Sequence, residues 1–347
     1  WICDCKWGGP SAFTSVAMAL MGTDSPGLSP TETTACPPPA PTWEEVQEAL
    51  LSGAAPVTAR YRALFHARSA APSASAAAEL LLRALPLQAD SVLLRHEAAY
   101  VLGQLGEARA AGRLREVAAD EAEDDIVRHE AVEALAALEE VDAVEMLADL
   151  EARTASEPLR HTCELALAGL RRKATEPDGS AAKVCVCQYT SRDPAEGWSG
   201  ATEEDAAAAA VLLANAGEPL YERYQGLFTL RNLGGAATAE ALAGVLRGDT
   251  SSAVLRHEVA FVLGQMEEES AVQALSFNLA CQHEHAMVRH EAAIALGTIG
   301  TPVAEDALRA HLKDPDLLVS QSCEVALATA AYWRAWEELE ARVSAQQ

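Results

Sequence analysis

The sequence has no run of about 20 apolar residues, so no segment reads as a membrane span. Basic residues are scarce, with 26 Lys and Arg against 51 Asp and Glu and a formal net charge of −25. Nucleic acid is therefore not an expected partner, because clustered Lys and Arg are needed to neutralise phosphates. An acidic surface instead attracts a cationic ligand or a basic protein substrate through long-range steering. Aromatic residues make up only 5% of the 347 positions. The apolar half of the composition is led by alanine, the strongest helix former and a residue that lets helices stack closely. The eight cysteines never form C-x-x-C. Cys3/Cys5 and Cys185/Cys187 are C-x-C pairs without zinc-finger partners. Cys163 and Cys323 sit in apolar helical runs, and the set reads as reduced thiols of a cytoplasmic protein. No flavin or nicotinamide fingerprint is present.

What is present is repetition. From Leu94 to Gln104 and from Leu255 to Gln265, nine of eleven positions are identical, at an offset of 161 residues. His-Glu occurs at His96-Glu97, His129-Glu130, His257-Glu258 and His290-Glu291, 33 residues apart within each half. That period fits a two-helix solenoid repeat of the HEAT class. Each copy reads as a helix, a polar break in which Asp can cap, then an "LRHE" or "VRHE" start to an Ala/Leu-rich helix ending near Gly. Flanking copies keep the frame but carry Tyr61-Arg62, His161-Thr162, Tyr224-Gln225 and Gln321-Ser322 in place of the pair. The expected architecture is an all-α, HEAT-like helical repeat solenoid. It has two pseudosymmetric halves of four two-helix repeats, over 43–172 and 201–337. Residues 1–42 read as a disordered extension in preference to a targeting segment, 173–200 as a linker that lets the halves face each other, and 338–347 as a tail.

Four imidazoles and four carboxylates on one frame suit non-haem iron or manganese. At the first turn of their helices, both members of each pair would reach the same concave edge. Two His and one Glu from each half would make a site with open positions, and facing halves would make it dinuclear. H-E-x-x-H chemistry does not fit, because the position four after each His holds Tyr100, Glu133, Phe261 or Ile294. Glu-x-x-His does not fit either, because Leu93, Ile126, Val254 or Met287 stands three before. Alternatively, the Glu residues decorate helix N-termini and pair with Arg95, Arg128, Arg256 and Arg289. That arrangement explains less well why the pairs occupy only the inner repeats. The other readings are a metal-free HEAT-like scaffold resembling the phycobilin-lyase type, and a dinuclear metal hydrolase. His161 reads as structural, and His283 and His285 as solvated loop residues.

The segments "LRHEAAYVLGQL", "IVRHEAVEAL", "LRHEVAFVLGQM", "MVRHEAAIALG", "SCEVAL" and "SRDPAEGW" resemble the deoxyhypusine hydroxylase family over about residues 43–337. The resemblance implies a di-iron monooxygenase that uses two Fe(II) ions and dioxygen to hydroxylate the deoxyhypusine side chain of translation factor five-A, completing hypusine. It implies one iron on His96, His129 and Glu130 and the other on His257, His290 and Glu291. It assigns Glu97 and Glu258 to catalysis and to the cationic substrate chain, and Met287 to the substrate entrance. A monomer acting on a protein substrate, away from membranes, is the expected form. Which Glu of each half ligates is implied by the resemblance alone; the spacing leaves it open.

Overall fold

The structure, a computed structural model, describes residues 40–175 and 189–345. The C-x-C cysteines and residues 1–39 of the expected extension lie outside the described residues, as does 176–188 of the linker. Among the described residues there are sixteen α-helices and no strand, as the alanine-rich, period-33 sequence predicts. They form eight pairs. In the first half these are α1 (Trp43–Leu51) with α2 (Val57–Ala70), α3 (Ala74–Ala84) with α4 (Val92–Leu105), α5 (Ala111–Ala119) with α6 (Asp125–Ala137), and α7 (Val144–Arg153) with α8 (Glu157–Thr175). In the second half they are α9 (Ala206–Ala214) with α10 (Leu220–Leu233), α11 (Ala236–Gly248) with α12 (Ala253–Met266), α13 (Val272–Ala280) with α14 (Ala286–Ile299), and α15 (Pro302–Ala310) with α16 (Leu317–Ala345).

The second helix of each pair lies inside, and α4, α6, α12 and α14 are buried almost all round. The two halves close on each other head to tail. Helix α8 packs on α10 and α12, and α16 packs on α2 and α4. Two matched contacts mark the closure. Ser91, the N-cap of α4, donates to Gln321 Oε1 at 2.7 Å, and Ser252, the N-cap of α12, lies 3.1 Å from His161 Nδ1. His161 and Gln321 occupy the same frame in the last repeat of each half, so these residues join the halves rather than enter the site.

Several local expectations are corrected. Only Asp124 caps an inner helix through an Asp of the break; Ser91, Ser252 and His285 cap the other three. His285 is therefore a cap, its Nδ1 accepting from Met287 N at 3.3 Å. The caps set each His at the fifth helical residue, so the pair stands in the second turn and not the first. Arg95, Arg128, Arg256 and Arg289 point away from the pair's Glu and bind Glu123, Asp125, Glu284 and Asp314 instead. Gly106 and Gly300 do end helices in the left-handed region. Gly103, Gly264 and Gly297 lie inside helices, where a Cβ on Gly103 would stand 2.8 Å from Ala134 Cα. These three glycines let neighbouring inner helices approach. Helix α8 runs on to Thr175 and α16 to Ala345, so much of the expected tail is helix. Its segment "WRAWEELEARV" holds good helix formers and no Gly or Pro.

Candidate metal centre

Because four inner helices are capped at the same distance before the motif, they present His and Glu in one register. The eight side chains meet at the centre of the molecule, each with relative exposure of 4% or less. The four imidazoles form one cluster. Ring centroids are 6.2 Å apart for His96 and His129 and 5.8 Å for His257 and His290, both nearly parallel. Across the halves, His96 and His290 are 4.9 Å apart and His129 and His257 are 5.3 Å apart, edge to face.

Within each half, two Nε2 atoms converge on one carboxylate oxygen. Glu130 Oε2 is 3.1 Å from His96 Nε2 and 3.8 Å from His129 Nε2. Glu291 Oε2 is 3.5 Å from His257 Nε2 and 3.6 Å from His290 Nε2. Donors sharing an ion at about 2.1 Å, at right angles to tetrahedral angles, stand roughly 3.0–3.4 Å apart. The two sets fall on or slightly beyond that spacing. Among the described residues, none of the four Nε2 atoms has a hydrogen-bond partner, and Glu291 Oε1 also lacks one. Buried polar atoms are almost always satisfied, so a group of orphans aimed at common points calls for a ligand. These orphans fit metal ligands: His96, His129 and Glu130 offer donor atoms close enough together to share an ion, and a second such group joins His257 and His290 to His96 across the halves. A metal-free scaffold gives them no role.

The electrostatics agree. Burial, then neighbouring imidazoles, holds His129, His257 and His290 well below the usual histidine value, which keeps them neutral as metal ligands must be. Burial also opposes charge on His96, but Glu130 and Glu97 outweigh it and raise its pKa. Burial, with Glu97 next, pushes Glu291 well above the usual carboxylate range.

A cavity opens beside the cluster. Glu130 and His257 lie at its inner end, with Tyr100, Glu133, Glu258 and Phe261 on its walls and Arg192, Asp193 and Pro194 at the linker side. Burial, then Glu130, raises the Glu133 pKa; burial, then Glu133 and Asp193, raises that of Glu258. Both carboxyls therefore resist ionising until a cation arrives. The linker is fixed over this cavity from both halves. Arg192 N donates to Gln104 Oε1 at 2.8 Å, and Asp193 takes a bidentate pair from Arg231 at 2.9 and 2.5 Å.

The six expected ligand residues and Glu97 and Glu258 are thus brought together. Glu258 lines the cavity; Glu97 and Met287 do not. Glu97 stays close to His96 Nδ1 at 3.8 Å, and Met287 is fully buried in the apolar core. Sequence reasoning missed Glu133 and Asp193 as cavity residues. Glu133 carried a signal, as the one carboxylate four residues after a motif His. Asp193 lay in the matched segment "SRDPAEGW", with nothing to aim it.

Comparison with known proteins supplies the family. HEAT repeats are matched over residues 78–168 and 239–328. Deoxyhypusine hydroxylase of Mus musculus is 40% identical over 285 residues, covering 82% of this chain and 90% of the relative. Deoxyhypusine hydroxylase-B of Oryza sativa subsp. japonica is 40% identical over 293 residues, covering 84% and 93%. The solved structure of human deoxyhypusine hydroxylase in complex with glycerol superposes with a TM-score of 0.74 at 38% identity, covering 83% of this chain and 96% of that one.

Proposed function

The chain belongs to the deoxyhypusine hydroxylase family, and from that premise we propose that it hydroxylates the deoxyhypusine side chain of translation factor five-A at a di-iron centre. Family membership makes it an enzyme, an oxidoreductase of hypusine biosynthesis. The observation that carries the metal reading is the repeated convergence of two Nε2 atoms on one Glu oxygen, once in each half.

His96, His129 and Glu130 would hold one iron, and His257, His290 and Glu291 the other. Bound iron supplies dioxygen activation for oxygen insertion into an unactivated C–H bond, with electrons from an outside donor. The protein supplies the surroundings. The inner helices bury the ligands and exclude water from the reacting centre. The net charge of −25 draws in a cationic side chain, and Glu258, with Glu133 and Asp193, receives its ammonium groups in the cavity. An arriving ammonium favours ionisation of Glu258 and Glu133, so charge is created where the substrate needs it. Glu97 is assigned to the same substrate chain, although it stands beside His96 and outside the cavity lining. Met287, from its buried position, can shape the site only through packing.

The test is iron content together with conversion of the deoxyhypusine-bearing protein under air and a reductant. Two irons per chain and incorporation of labelled oxygen from dioxygen are expected. Full iron loading without product would remove the substrate assignment, and failure to take up iron would remove the metal centre.

A further inference from the structure

The last repeat of each half lacks the His-Glu pair, yet it still reaches the centre. Thr162 of α8 and Ser322 of α16 occupy the frame of the missing Glu. Thr162 Oγ1 lies 2.7 Å from His129 Nδ1, and Ser322 Oγ lies 3.1 Å from His290 Nδ1. Both hydroxyls are fully buried. Each also donates to the carbonyl four residues before it, Thr162 to Pro158 O at 2.9 Å and Ser322 to Leu318 O at 2.7 Å.

A hydroxyl has one proton. Once it is given to the helix carbonyl, the oxygen can only accept, so the imidazole must donate from Nδ1. A neutral imidazole with its proton on Nδ1 has its lone pair on Nε2. These are the nitrogens that face Glu130 and Glu291. The opposite arrangement would aim an Nε2–H at the carboxylate oxygen and leave no lone pair for a metal. Glu133 is the other group facing His129 Nδ1, and at 3.8 Å it is too far to hydrogen-bond. Ring orientation and tautomer thus come from the same contact.

We infer that Thr162 and Ser322 are positioning residues that hold His129 and His290 in the Nδ1–H tautomer, one locked imidazole for each metal. This inference rests on the metal reading above. It also gives the last repeat of each half a part in the site: it contributes an acceptor hydroxyl where the inner repeats contribute a carboxylate. Among the described residues, His96 and His257 have no such hydroxyl, and both nitrogens of His257 are without a hydrogen bond. Each half therefore pairs one imidazole anchored through Nδ1 by a hydroxyl with one that has no such anchor.

Two measurements on the full-length protein test it. The first is nitrogen NMR of the imidazoles in metal-free protein, comparing wild type with Thr162→Val and Thr162→Ser. The second is Co(II) titration of the same three proteins and of Ser322→Val. In wild type and Thr162→Ser, His129 should be the Nδ1–H tautomer with a slowly exchanging proton. In Thr162→Val it should shift to Nε2–H or a mixture, and one of two Co(II) ions should bind 10–100-fold more weakly, as loss of an outer hydrogen bond to a ligand does. Ser322→Val should do the same to the other ion. An unchanged tautomer, or unchanged Co(II) affinity in both Val variants, overturns the inference while leaving the metal centre standing. A wild-type protein that takes up no Co(II) overturns the metal reading and the inference with it.

Discussion

Nε2 of His257 lies 3.5 Å from Oε2 of Glu291, a residue one repeat further along the chain. Neither residue can form this contact from its own helix, so each half's proposed ligand set depends on two neighbouring repeats keeping their register. That makes the two sets separable. Glu291→Ala is expected to lower iron from two to one per chain and abolish hydroxylation. Glu130→Ala should do the same from the other half, and the double variant should bind none. Metal analysis of folded protein checks this, with circular dichroism confirming the fold. Two irons retained in Glu291→Ala would remove Glu291 from the ligand set.

The spacing of α4 and α6 depends on a missing side chain. A Cβ at Gly103 would stand 2.8 Å from Ala134 Cα and 2.9 Å from its Cβ, and a backbone atom cannot turn aside. Gly103→Ala is expected to cost about 1–3 kcal/mol, the range for overpacking a close contact. Separating these helices also separates His96 from Glu130, so metal uptake should fall with stability. Gly112, on the exposed face of α5, has open space where its Cβ would go. Gly112→Ala should be stabilising by about 0.5 kcal/mol, because glycine alone carries the entropy penalty there. Thermal melts of the two variants should move in opposite directions; equal shifts would mean that helix spacing tolerates the methyl.

The clustering of the four His-Glu pairs was legible in the sequence because a solenoid repeats its chemistry at its structural period. His96, His129, His257 and His290 recur in frame, and a shared frame implies a shared face. Their depth along each helix was not legible. It depends on which residue caps, and Ser91 and Ser252 do so where Asp was equally plausible. The cavity was illegible for another reason. It is made where a linker folds back, and the pairing of Asp193 with Arg231, 38 residues later, follows no period. The roles of Thr162 and Ser322 look like motif loss in the sequence, because a hydroxyl replacing a carboxylate reads as decay until its hydrogen-bond partners are seen.

His66, buried in α2, is held neutral, its pKa pulled down to about 4 by burial first and by the Arg62 charge second. The folded value lies below the unfolded one, so its contribution to stability is complete above pH 6.5 and is lost as pH falls from 6.5 toward 4. The full contribution is about 3 kcal/mol. Between pH 7 and pH 5, wild type should therefore lose more stability than His66→Gln, which does not titrate. Denaturant melts at the two pH values give the difference. Equal slopes for the two proteins would mean that His66 does not govern acid sensitivity.

Arg128 marks a gap in a ladder of ion pairs. Arg223 and Arg289 each donate Nε to the carbonyl ten residues earlier, Leu213 and Leu279, and then pair with an Asp in the following loop, Asp249 and Asp314. Each Asp also accepts from the backbone N two residues on. Arg128 donates Nε to Ala118 O in the same way, but the equivalent loop position is Thr154, whose Oγ1 accepts from Ser156 N at 3.2 Å. Arg128 turns back to Asp125 on its own helix, and a cavity lined by Arg128, Arg153 and Thr154 remains. Thr154→Asp keeps the loop hydrogen bond and extends a carboxylate toward Arg128. It should raise stability by about 1 kcal/mol, or about 2 °C in a protein of this size. In an Arg128→Met background the same substitution should gain nothing. A gain that survives without Arg128 would trace the effect to the loop, and a loss in both backgrounds would show that the cavity cannot seat the charge.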